Sequence, residues 1–130
     1  MGATPDVSIT RRWFDAPRGI AVLWTAILAG PFAWAVDHEL SYSIVQWVCG
    51  GGPKVVLHLI SLGCFLICSA GVFAGWTALA WASSGAREDG SHPDERGRFM
   101  AVLGISMSAL FALIVVAEAV PRVILDACHQ

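Results

Sequence analysis

The stretch Val55–Ala82, VVLHLISLGCFLICSAGVFAGWTALAWA, carries no Asp, Glu, Lys or Arg, and its only titratable imidazole is His58. It exceeds the ~20 apolar residues that cross a bilayer. A run of this length reads as a transmembrane helix. Two similar runs flank it, at 19–49 and 99–125, with short polar stretches between them. The expected fold is all-α, an integral membrane three-helix bundle over 19–130 behind a polar segment at 1–18. Composition agrees: 14% of residues are charged, against ~25% in a typical soluble domain. Three spans in 130 residues leave no room for a separate soluble domain. A formal charge of -2 carries no nucleic-acid signal. The lipid bilayer is the first expected partner.

Basic residues set the expected orientation. Arg11, Arg12 and Arg18 precede the first span, and Arg87, Arg96 and Arg98 separate the second from the third. The other side holds Lys54 and Arg122. Basic residues in short loops mark the cytoplasmic side. The N-terminus is therefore expected in the cytoplasm and the C-terminus in the periplasm, as three spans require. Thr10-Arg11-Arg12-Trp13-Phe14 also has the look of a twin-arginine export signal, with Ala33-Trp34-Ala35 as a cleavage site. The apolar run that follows is too long for the ~7–15 residues of such a signal, so an uncleaved basic anchor is the reading adopted. Between the second and third spans, SSGAREDGSHPDERG (83–97) reads as a solvated turn. A metal site at His92 and its acidic neighbours has no apolar face to organise it.

Spacing within the spans is informative. Ser61, Cys64, Cys68, Gly71, Gly75 and Ala78 follow steps of three and four, which puts them on one helical stripe. All are small. Lipid supplies no hydrophobic drive for helix pairing, so close backbone approach along small residues replaces it. Ala101, Gly104, Ser108 and Ala112 form a similar stripe on the third span, and Ala26, Gly30 and Ala33 on the first. The Gly30-Pro31 pair is expected to kink the first helix, because Pro31 has no N–H to donate. Cys64 and Cys68 form a CxxxC pair that suits copper or a cluster. As small, soft side chains in a packing seam they need no such role.

The first span also carries a polar stripe, Glu39, Tyr42, Gln46 and Cys49, expected to face protein rather than lipid. Asp37 and His38 precede it. Charges of this kind cost about 2.5–3.5 kcal/mol each at a span's centre. Glu118 stands four residues before Arg122, the favourable order for a helical ion pair. Glu39 and Glu118 each lie ten residues before a cysteine, Cys49 and Cys128. Both are thus ~15 Å below the outer helix ends. With His58 just inside the second span, Asp37, His38, Glu39, Tyr42, His58, Glu118 and Arg122 are expected to form one buried polar cluster. Two roles suit it: hydrogen-bonded glue between helices, or a proton, quinone or metal site. Cys49 and Cys128 end two spans on the same outer side. A disulfide is permitted in an oxidising compartment; copper binding helped by His58 or His129 is the alternative.

Several of these residues recur as a pattern. GPFAWAVDHELSYSIVQWVC and FALIVVAEAVPRVILDAC resemble a family of small bacterial inner-membrane proteins encoded near haem–copper terminal oxidases and their copper-insertion proteins. Its members show Gly-Pro-x-x-Trp, then Tyr-x-x-Val-x-Trp-x-Cys, then Pro-x-x-x-Leu-Asp-x-Cys. The matching positions are Gly30, Pro31, Trp34, Tyr42, Trp47 and Cys49, followed by Pro121, Leu125, Asp126 and Cys128. Glu39 and Glu118 stand where that family commonly has glutamine. The resemblance implies an inner-membrane location and membrane subunits of a respiratory complex as partners.

No Ser-His-Asp set, phosphate loop or zinc-type spacing occurs. The expected function is a non-catalytic accessory subunit or assembly factor of a bacterial respiratory complex, with a haem–copper terminal oxidase the first candidate and no cofactor of its own. The alternatives are a haem-, quinone- or copper-binding subunit, and a small transporter or channel subunit. His38 and His58 are the candidate haem ligands. Helix rise offsets them in depth by ~10 Å, which disfavours one haem between them.

Overall fold

The computed structural model describes residues 16–85, 93–125 and 128. These form three α-helices: α1, Pro17–Cys49; α2, Val55–Gly85; α3, Pro93–Ile124. Each is long and apolar enough to cross a membrane. Arg11 and Arg12 lie outside the described residues.

Local chemistry sets the helix ends. Pro17 opens α1, where its missing N–H is lost from a donor the helix would not use. At the other end, the Gly50 N–H donates to the Gln46 carbonyl at 3.0 Å, and the Gly52 N–H to the Trp47 carbonyl at 3.2 Å. Gly51 turns the chain at φ 117, a conformation other residues avoid. A Cβ on Gly52 would lie 2.9 Å from the Trp47 ring. The turn into α2 is therefore built on glycine under the indole.

One expectation about helix ends is revised. The polar turn read at 83–97 contracts from both sides, since α2 runs to Gly85 and α3 begins at Pro93. Pro93 with Asp94 and Glu95 behind it is a good helix start. Hydropathy marks the apolar part of a helix, and these helices continue past it. His92 lies outside the described residues. Pro31 sits inside α1, which continues unbroken through it.

Every helix packs on both others. All six α2 seam residues, Ser61 through Ala78, are buried. So are Ala26, Gly30 and Ala33 on α1, and Ala101, Gly104 and Ser108 on α3. The backbones come close because these residues are small. A Cβ on Gly30 would lie 2.8 Å from Ser108 Cα, and one on Gly104 2.8 Å from Ala26 Cβ. Ser108 Oγ donates to the Ala26 carbonyl at 2.7 Å. Leu23, Ala78, Ala82 and Ala101 close one end of the core. Ala33, Cys64, Cys68 and Val115 fill the other. Beyond that second end Cys49 and Cys128 stand at disulfide distance, their Cα atoms 5.4 Å apart, within the range a disulfide spans.

Candidate functional site

Asp37 lies on the packed stripe of α1, one turn after Ala33, and is 0% exposed. An ionised carboxylate there needs partners, and α2 and α3 each supply one. Ser61 Oγ donates to Asp37 Oδ1 at 2.9 Å. Arg122 Nη1 donates to Asp37 Oδ2 at 3.2 Å and to Ser61 Oγ at 2.9 Å. One polar residue from each helix thus closes a three-way clamp. Removing one partner of such a buried pair costs about 3–5 kcal/mol.

A second group surrounds the clamp. Glu118 Oε2 stands 3.6 Å from Arg122 Nη2, one turn apart on α3. Trp34 Nε1 donates to Glu118 Oε1 at 3.1 Å. His38 Nδ1 lies 4.0 Å from the same oxygen, and its ring stacks on Trp34 with centroids 5.7 Å apart. Asp37, His38, Glu118 and Arg122 therefore meet as the sequence suggested, although His38 is exposed where a buried position was expected. Ser61, read only as a packing residue, and Trp34, read only as part of a pattern, complete the set.

Glu39, Tyr42 and His58 do not join it. All three are exposed, Tyr42 at 77%. Glu39, Tyr42 and Gln46 of the expected stripe are exposed, the reverse of the expectation, while Cys49 at its end meets Cys128. The reason is helical phase. Successive residues are ~100° apart, so Asp37, His38 and Glu39 cannot share a face. Ala26, Gly30, Ala33, Asp37 and Ser41 form the buried line, and Glu39 points about 200° away from Asp37. Continuing the small-residue stripe by one more step would have selected Asp37 over Glu39.

Cys64 and Cys68 pack beside Ala33 and Val115, with Cys68 Sγ 3.9 Å from the Gly30 carbonyl. Among the described residues, no group of three or more His, Cys, Asp or Glu side chains is arranged to hold a metal ion. Beside Arg122 a cavity of about 230 Å³ is lined by His38, Ser41, Tyr42, Val45, Leu57 and Arg122. His38 thus touches both the clamp's surroundings and this cavity, whereas His58 lies exposed on α2.

Comparisons with protein-family models, with curated proteins and with solved structures found no match.

Proposed function

We infer that this chain is a three-span protein of the bacterial cytoplasmic membrane, N-terminus inside and C-terminus in the periplasm. It serves as a non-catalytic accessory subunit or assembly factor of a respiratory membrane complex, foremost a haem–copper terminal oxidase. The observation that carries a partner role is the exposure of Glu39, with Tyr42 and Gln46, on the outward face of a helix long and apolar enough to cross a membrane. A carboxylate ~15 Å from the helix end has no compensating contact in lipid. A neighbouring membrane helix with a donor supplies one. The inward-facing charges are engaged within the chain, which favours a structural over a catalytic role for them. The respiratory assignment rests on the resemblance of residues 30–49 and 111–128 to proteins encoded beside terminal oxidases.

Affinity purification from mildly solubilised native membranes tests this. Enrichment of terminal-oxidase subunits by quantitative mass spectrometry is the expected result, and recovery of the chain alone contradicts it. In the recovered complex, Glu118→Gln should leave turnover near wild type, since an amide oxygen still accepts the Trp34 hydrogen bond. An assembled but inactive complex would overturn the non-catalytic reading.

A further inference from the structure

Among the described residues, Ser41 is the one buried hydroxyl whose behaviour packing does not explain. Ser43, Thr25 and Ser69 each donate to the carbonyl four residues back, and Thr77 to the one three back. Ser61 and Ser108 bond across to another helix. Ser41 is only 6% exposed, yet its Oγ has no hydrogen-bond partner. A buried hydroxyl left unpaired costs about 1–3 kcal/mol. The cavity it lines also receives His38, Tyr42 and Arg122 from two helices, with Val45 and Leu57 as its apolar wall.

We propose that this cavity binds a neutral carbonyl group carried on an apolar tail, the chemistry shared by the ring carbonyl of a lipid-soluble quinone and the acyl-ester carbonyl of a phospholipid. Ser41 donates, and Arg122 can only donate, so the ligand must bring an acceptor. An anion is disfavoured, because Arg122 already faces two carboxylates, Asp37 at 3.2 Å and Glu118 at 3.6 Å. That leaves a neutral carbonyl. At about 230 Å³ the space falls short of the ~300–1,000 Å³ of a site enclosing a whole small molecule. It takes the carbonyl-bearing part of the ligand alone, and the tail runs out past the exposed Tyr42 along the apolar helix surface. Ser41 stands eight residues before Cys49, or ~12 Å below the helix end, a depth reached by ring and ester carbonyls alike. The site binds without converting its ligand. Its existence does not depend on which complex the chain joins.

Delipidated chain in detergent tests it with two probes: a short-chain benzoquinone by equilibrium dialysis, and phosphatidylethanolamine by native mass spectrometry. One of them should bind once per chain. Ser41→Ala should weaken that binding about three- to tenfold, the worth of one hydrogen bond, and Ser43→Ala should not change it. Binding of the quinone alone or of the lipid alone identifies the source. In the wild-type chain, the bound carbonyl's infrared stretch should shift down through hydrogen bonding, which tests the site without any variant. Failure of both probes to bind, equal binding by Ser41→Ala, or an unshifted carbonyl band would overturn the proposal.

Discussion

Arg122 on α3 meets Asp37 on α1 at 3.2 Å, although 85 residues separate them in sequence. The contact occurs where the three small-residue stripes run out and polar side chains continue them. Packing brings the backbones together over most of the bundle's length. At this level a charge pair and the Ser61 hydroxyl take over, and they fix which faces of the helices meet.

Close packing makes the interface glycines unequal to glycine elsewhere. A Cβ on Gly30 would sit 2.8 Å from Ser108 Cα and 3.2 Å from the Met107 carbonyl, backbone atoms that cannot turn aside. Gly30→Ala should therefore destabilise the bundle by about 1–3 kcal/mol, the usual cost of overpacking. Nothing lies within 4 Å of a Cβ on Gly63. Gly63→Ala should be neutral or gain up to about 1 kcal/mol from helix propensity. Denaturant unfolding in micelles separates the two, and equal effects would contradict the close approach.

The Cys49–Cys128 bond closes a loop with a sequence separation of 79. A loop of that size restricts the unfolded chain by up to roughly 4–5 kcal/mol in the entropic model. Cys49→Ser should accordingly lower the melting temperature clearly. Thiol alkylation should modify Cys49 and Cys128 only after reduction. Full alkylation of the untreated, freshly isolated protein would exclude the bond.

Orientation is open to direct measurement. Cys64 and Cys68 lie in the small-residue seam, so Cys64→Ala/Cys68→Ala should assemble normally, since alanine fits the same interface. In that background Ser91→Cys, between α2 and α3, should resist a membrane-impermeant thiol reagent in intact cells and react once the cells are opened. Labelling in intact cells would reverse the orientation.

The three helices were legible because apolar runs longer than ~20 residues admit few other readings. The seam was legible because small residues recurred at helical spacing through Ser61 to Ala78. The cysteine pair followed from the equal outer position of Cys49 and Cys128. The polar cluster was only half legible. Reasoning that any polar side chain avoids lipid drew Glu39 and Tyr42 inward, whereas helical phase admits one of Asp37, His38 and Glu39 to the core. Ser61 and Trp34 were missed as partners because a serine in a small-residue seam and a tryptophan near a helix's middle carry no polar signal by themselves. Ser41 escaped for the same reason, though it continues the stripe that holds Ala33 and Asp37.

A double-mutant cycle on Asp37 and Arg122 most directly measures whether the three helices are locked by this clamp. Asp37→Ala and Arg122→Ala each strand a charge or its partners, and each should cost about 3–5 kcal/mol. The double variant removes both members of the pair and leaves only Glu118 without its Arg122 contact, so it should cost less than the sum of the two, by at least about 1 kcal/mol, as coupled neighbours do. Additive losses in unfolding free energy would mean that the two side chains act independently and that the clamp does not hold the bundle.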